Sequence, residues 1–301
     1  VIMSFGADGK FSGVSYYHYT HSSDKDAVNG FGFKRVYFTY EEEVSDGISY
    51  KFQSDLDYKS SPMNVYVKNA KVDWTSSFGK ISIGMQGMNI FNVQEKTWGY
   101  RFLEKSAMDH RKFSSSADIG LGFSRSLSEK MKATLLVTNG TGYKKSENDS
   151  HKRTSFQLVY GEGRLDKRDG FNVGGVLSLE PYDLQTATYS KTLIGGFAGF
   201  AQDKFRVGAE HNQYGDNGIA ETKNLTSGYA NYSVRNGFQA FFRYDLYTVD
   251  SSDSTADYSY VMAGAVFSPG KGLLIAPNVR VNTSPGVEDS TIYMVSFQFG
   301  F

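Results

Sequence analysis

The 301 residues include no cysteine, which excludes disulfides, thiolate metal sites, a cysteine nucleophile and a Cys-x-x-Cys-His haem attachment. Neither sign of charge is in excess. Thirty-two basic residues balance 32 acidic ones, so a nucleic-acid partner finds no electrostatic footprint. Long apolar runs are missing too: no window approaches the roughly 20 consecutive apolar residues of a membrane-spanning helix. Stretches such as Leu193 to Ala201 are short and rich in glycine, and an inner-membrane helical protein is excluded. The opening Val1-Ile-Met-Ser-Phe-Gly-Ala-Asp8 has neither a basic region nor a long apolar segment, so no intact signal peptide is expected and an exported protein would be in its mature form. No Pro/Ser linker, composition shift or charge block divides the chain, and one continuous domain over 1–301 is expected.

What the chain does have is aromatic residues, 23 Phe and 21 Tyr, beside a polar mean hydropathy of −0.41. Together these fit a barrel with an apolar outer belt and a wet lumen better than a single compact core. The last eleven residues alternate strictly, with Tyr293, Val295, Phe297, Phe299 and Phe301 on one face and Ser296, Gln298 and Gly300 on the other. Such a strand has one apolar and one polar face, and it must pair at its edge to avoid aggregation.

The same two-residue period recurs throughout. Val36, Phe38 and Tyr40 alternate with Arg35, Tyr37, Thr39 and Glu41; after Ser45-Asp46-Gly47, Ile48 to Tyr58 repeat the pattern against Lys51, Gln53, Asp55 and Asp57. Further sets are centred on Ile83, Ile119, Val207, Phe242 and Val279, with Asp118, Arg206, Glu210, Arg243, Asp245 and Arg280 facing the other way. Charges at mid-strand are costly against lipid and natural against water, so they are expected to line a lumen. The alternation is poor in Lys10 to His21, Asn64 to Trp74 and Tyr258 to Phe267. Tight turns are expected at 45–47, 77–79, 128–130, 202–204, 235–237 and 268–272, and longer polar loops at 22–31, 88–113, 140–151, 215–223, 250–256 and 283–289. About sixteen antiparallel strands result, with about nineteen residues for each strand and its connection, and counts of fourteen or eighteen also fit.

This ending on Phe301, the repeated amphipathic strands and the short-then-long connections resemble bacterial outer-membrane β-barrels. The segment Met88 to Phe113 falls where the constriction loop of sixteen-stranded porins lies, and its Trp98-Gly-Tyr-Arg101 and Asp109-His-Arg-Lys112 runs loosely resemble the phosphate-selective porin group. The resemblance implies an all-β transmembrane antiparallel barrel in a Gram-negative outer membrane, with a third extracellular loop folded inward. It also implies a homotrimer among lipids and lipopolysaccharide, passing ions and small hydrophilic solutes by passive diffusion, with no cofactor.

Within that loop Lys96, Arg101, Lys105, Arg111 and Lys112 outnumber Glu95, Glu104 and Asp109, and fixed positive charge at a narrow ring favours anions. The expected constriction comprises Arg101, Lys105, Arg111, Lys112, Glu104 and Asp109, against a lumen wall of Arg35, Glu41, Lys51, Asp55, Arg243 and Arg280. Weak anion preference follows, unless the loop is a solvated surface segment or Glu41, Asp55, Asp57, Asp73 and Glu180 offset the bias. Catalysis needs a nucleophile beside an oriented base, and neither the scattered His18, His21, His110, His151 and His211 nor any Gly-x-Ser-x-Gly elbow provides one. Neither an enzyme nor a metal site is expected. The rival readings are a plugged barrel serving as anchor, receptor or sheath for a partner protein, and a soluble all-β sandwich.

Overall fold

The computed structural model describes residues 9–24, 27, 29–249 and 257–301. Sixteen antiparallel strands follow one another in chain order around one closed barrel. They are β1 (Lys10–Ser22), β2 (Gly30–Ser45), β3 (Ile48–Asp57), β4 (Asn64–Ser76), β5 (Gly79–Gly87), β6 (Ala117–Ser126), β7 (Met131–Thr138) and β8 (Arg153–Gly161). The second half comprises β9 (Gly170–Leu184), β10 (Ala187–Gln202), β11 (Phe205–Asp216), β12 (Glu221–Arg235), β13 (Phe238–Thr248), β14 (Asp257–Gly270), β15 (Leu273–Ser284) and β16 (Val287–Gly300). Two helices, α1 (Asn92–Trp98) and α2 (Ala107–His110), lie between β5 and β6.

The alternating C-terminal strand does what its edge requires. β16 pairs with β1 from Val14 opposite Gly300 to Ser22 opposite Ile292, and Gly13 and Phe301 exchange backbone bonds of 3.2 and 3.0 Å. Closure leaves no free edge. The two strand faces separate as the pleat dictates: Ile83, Leu121 and Phe242 are exposed, whereas Gln86, Asp118 and Arg243, on the opposite face of the same strands, are buried. At the short-turn end, outward aromatic rings, all exposed except the half-buried Phe238, meet in pairs between neighbouring strands. Phe205 lies 4.7 Å from Tyr232 and Phe238 4.7 Å from Phe267, with Phe11 and Phe38 at 5.7 Å and Tyr160 and Phe171 at 5.8 Å. A row of exposed aromatics at one level is the girdle of a barrel at a membrane interface.

The expected tight turns all join consecutive strands. The connections differ in five places, two of them the links 58–63 between β3 and β4 and 185–186 between β9 and β10, neither of which was expected. Residues 162–169 form a longer connection at the short-turn end, where none was expected. β11 and β12 run on to Asp216 and from Glu221, and β15 and β16 leave only Pro285 and Gly286 between them, so the loops expected at 215–223 and 283–289 are mostly ladder. Polar residues there keep the backbone pairing and look like loop only by composition. The loop expected at 250–256 lies outside the described residues.

One poorly alternating segment, Asn64 to Trp74, contains a β-bulge, and another, Lys10 to His21, pairs with a strand that has one. The register between β1 and β2 shifts so that Tyr16 faces Arg35 and Tyr17 faces Phe33, leaving Lys34 as an extra residue. Between β3 and β4, Gln53 faces Asn69 and Ser54 faces Val67, leaving Lys68 extra. A bulge re-aims a side chain; here Lys34 and Arg35, then Lys68 and Asn69, point inward in succession.

Candidate pore and constriction

The long segment between β5 and β6 crosses the lumen. Asn89 starts the crossing on β7 and β8, bonding the carbonyls of Thr134 (2.9 Å) and Ser155 (3.2 Å) and accepting the Ser155 hydroxyl at 2.7 Å. Helix α1 then packs toward β9 to β12. Asn172 donates to Thr97 at 3.2 Å, Tyr229 to the Gln94 carbonyl at 3.1 Å, and Arg206 and Asn231 to the Trp98 carbonyl at 3.2 and 3.0 Å. Gly99 ends the helix with φ of 75°, and a Cβ there would stand 2.5 Å from the Arg206 guanidinium. Glycine takes this φ without strain and leaves room for the guanidinium.

The far side of the crossing is held by cations. Arg280 of β15 binds Glu104 at 3.0 Å and the Leu103 carbonyl at 2.8 Å. Lys34, delivered by its bulge, donates to the same carbonyl and lies 3.5 Å from Glu104. Arg243 is fully buried, forked onto Asp245 at 2.6 and 2.9 Å, and donates to the Lys105 carbonyl at 2.5 Å. A segment tied both to β8–β12 and to β15 and β2 spans the interior of a sixteen-strand barrel.

Apolar packing reinforces these bonds. Trp98 is fully buried, with ring centroids of Tyr100, Tyr229 and Phe241 at 5.5, 5.5 and 6.1 Å, and its indole donates to the Glu104 carbonyl at 2.9 Å. Met88, Ile90, Phe91, Met108 and Phe113 pack on inward-facing Leu136, Val159, Val176, Leu193, Phe197 and Leu225. Phe102 and Leu103 pack with Phe241, Met262, Val266 and Ala276. This apolar half-lumen was not expected from the sequence. The available signal was apolar character on both faces of β10, from Leu193 to Ala201, since a strand covered on both sides loses its alternation.

The polar wall from β2 to β6 takes no such packing, and one cavity of about 620 Å³ lies against it; a second of the same volume lies against the loop ends of β8 to β11. The second, at the loop end, is bounded by the rising part of the crossing segment, by 140–145 and by Arg153, Glu180 and Lys191. The first, at the short-turn end, is bounded by Glu41–Glu43, Lys51, Lys71, Asp73 and Lys96. Along β2, Arg35 lies between the two ends. It pairs with Asp55 at 2.6 Å and meets Tyr66 at 3.0 Å. From the crossing segment, Arg101 pairs with Glu95 and with Asp109 at 3.2 Å, and Lys105 with Asp109 at 3.0 Å.

The expected constriction residues therefore divide. Arg101, Lys105 and Asp109 form one cluster. Glu104 turns away toward Arg280 and Lys34, Arg111 lies over the Tyr247 ring at 5.0 Å, and Lys112 borders the loop-end cavity. Of the wall residues, Arg35, Asp55, Glu41 and Lys51 belong to the polar side, whereas Arg243 and Arg280 anchor the loop. Each carboxylate expected to offset the basic loop has a cation: Glu41 with Lys51 at 2.8 Å, Asp55 with Arg35, Asp57 with Lys144 at 2.8 Å, Asp73 with Lys71 at 2.7 Å, and Glu180 with Arg153 at 2.5 Å.

Burial would raise the Glu104 carboxyl, but Lys34, His110 and Arg280 around it hold it well below the usual range. Asp109 follows the same pattern, with burial opposed by Arg101 and Lys105 and a net lowering. Burial is the largest influence on His110 and lowers it, against the opposing pull of Glu104. The remaining histidines are dispersed: His151 lies 3.0 Å from Asp183, His211 2.8 Å from Thr226, His18 beneath Gly32, and His21 on β1 near Tyr293 of β16.

No protein-family model matches the sequence, and no curated protein matches it. Solved structures do. OmpT, an outer-membrane protein of Vibrio cholerae, superposes with a TM-score of 0.71 at 12% identity, covering 97% of each chain. OmpF of Salmonella typhi, in complex with daunomycin, gives 0.71 at 12% identity, again covering 97% of each chain. The outer-membrane channel DcaP of Acinetobacter baumannii gives 0.71 at 11% identity over 98% of this chain and 97% of that one. The fold is that of sixteen-stranded outer-membrane porins.

Proposed function

We propose that this protein is a bacterial outer-membrane porin through which ions and small hydrophilic solutes diffuse along the polar wall from β2 to β6. The observation that carries the reading is the one-sidedness of the apolar packing: the crossing segment packs on β7 to β15 and leaves a charged cavity of about 620 Å³ along β2 to β5. The exposed aromatic row supports a membrane setting among outer-membrane lipids and lipopolysaccharide. The likeness to OmpT, which is known in a trimer form, supports a homotrimer. No reaction is assigned.

Selectivity is set at the waist, where Arg35, Arg101 and Lys105 face Asp55, Glu95 and Asp109 and the loop-end side is more basic. Weak anion preference follows from fixed charge in a narrow, low-dielectric passage. The test is single-channel conductance of detergent-purified protein in a planar bilayer, with the reversal potential read under a KCl gradient. Steady steps with an anion-side reversal potential are expected, and Arg101→Gln shifts it toward the cation side. A heat-modifiable barrel without conductance overturns the reading. That outcome would favour a plugged barrel acting as anchor, receptor or sheath, which the dense anchoring of the crossing segment also fits.

A further inference from the structure

We propose that the loop-end cavity is a capture site for small oxyanions bearing two or more negative charges, entered from the loop side only. The capture itself is a binding property; its use in uptake rests on the pore reading above. Six basic side chains border this cavity against two carboxylates, Asp109 and Glu180. Asp109 is taken by Lys105, and Glu180 is shared by Arg153 and Lys191 at 2.5 and 2.9 Å. Lys112 and Lys145 form no ion pair among the described residues, and Lys112 is held in the left-handed backbone region at φ 60°. Two lysines are therefore left to neutralise an incoming anion.

Hydrogen-bonding capacity is present as well. Ser114, Ser115, Ser116 and Thr141 border the same space. The buried Ser115 hydroxyl and the Arg153 Nε have no partner among the described residues. An oxyanion accepts from hydroxyl and guanidinium donors and pairs with the lysines, and an unmet donor is the group that gains most from it. Chloride offers one charge and no directional acceptors. A multivalent oxyanion, whether carboxylate or phosphate, uses both features.

The opposite cavity has the reverse balance, with Glu41, Glu42, Glu43 and Asp73 against Lys51, Lys71 and Lys96. Charge thus changes sign between the loop end and the turn end of the lumen. A multivalent anion is attracted at the loop end and repelled at the turn end, so capture depends on the side of approach.

The test uses citrate and pyrophosphate as separate probes. Isothermal titration calorimetry on the detergent-solubilised protein reads binding without needing conduction. Saturable binding of at least one probe is expected, weakened about tenfold or more in Lys112→Gln/Lys145→Gln and weakened by added salt. Which probe binds more tightly distinguishes a carboxylate from a phosphate ligand. In bilayers, the same probe should block current from the loop side only; sidedness is assigned by a maleimide reagent on Asn148→Cys, the one thiol in that variant. No saturable heat with either probe, or unchanged affinity in the double variant, overturns the proposal. Binding by a barrel that does not conduct supports the site and removes the pore reading; conduction without binding does the opposite.

Discussion

The two halves of the lumen are built from the same alternating strands and behave differently. From β7 to β15 the inward positions include Leu136, Val159, Val176, Leu193, Phe197, Leu225, Phe241, Met262 and Ala276, all buried, beside polar anchors such as Asn172, Arg243 and Arg280. From β2 to β6 they include Arg35, Gln53, Asp55, Asn69, Asp73 and Gln86. The first half binds the crossing segment as a protein core binds a helix, by removing apolar surface from water at about 25 cal/mol per Å². The second is a network of hydrogen bonds and ion pairs that remains compatible with water. A barrel of this width gains a fixed constriction by making one wall adhesive and leaving the other polar.

That division predicts unequal sensitivity to substitution. Trp98→Ala removes a fully buried ring from the adhesive half, and core truncations of this size cost about 3–5 kcal/mol. The strands do not depend on Trp98, so the barrel should stay heat-modifiable while the crossing segment loosens, read as larger and noisier single-channel steps. Trp74→Ala, on the exposed outer face, should leave the steps unchanged. Equal effects from the two substitutions would remove the distinction between the halves.

The buried ion cluster that ties the segment to the far wall is the next target. Glu104→Gln leaves Arg280 and Lys34 without their carboxylate, and breaking a buried pair costs about 3–5 kcal/mol at most, here reduced because both cations also bond the Leu103 carbonyl. The sign of the pH effect follows from the lowered carboxyl. Its stabilisation is fully present above the ordinary carboxylate pKa and is lost only as pH falls through the lower folded value. Step size should therefore hold from pH 7 to 5 and change only in stronger acid. A transition centred between 5 and 6 would place the control of the loop elsewhere.

How much of this was legible depended on whether a residue had one neighbour class or two. Outer positions such as Ile83, Leu121 and Phe242 meet only the outer surface, and their alternation gave the strand number, the closing strand and the tight turns. Inner positions in β10 and β14 meet the crossing segment, so both faces are apolar and the period fades; Leu193 to Ala201 looked like a glycine-rich run instead of a wall. The bulges at Lys34 and Lys68 break the period in another way, since two successive inward side chains read as a slipped register. The charged residues of the loop were readable as a set, but their partners were not. Glu104 meets Arg280, 176 residues away in sequence, a separation that no local spacing encodes.

The finest expected difference between the halves concerns Tyr143, in the loop between β7 and β8. Its ring stacks on Tyr66 at 5.7 Å and lies 3.5 Å from the Lys68 ammonium. Burial would raise the phenol, yet Lys68 and Arg35 outweigh it and bring the value down to about 8. As pH rises through that value the phenolate adds one negative charge beside the polar passage, so anion preference should fall between pH 7 and 9. The adhesive half carries no such group in its crossing segment, and step size should not change with it. Tyr143→Phe should abolish the shift in reversal potential while leaving the pH 7 value close to that of the unmodified protein. Persistence of the shift in that variant would assign it to another group.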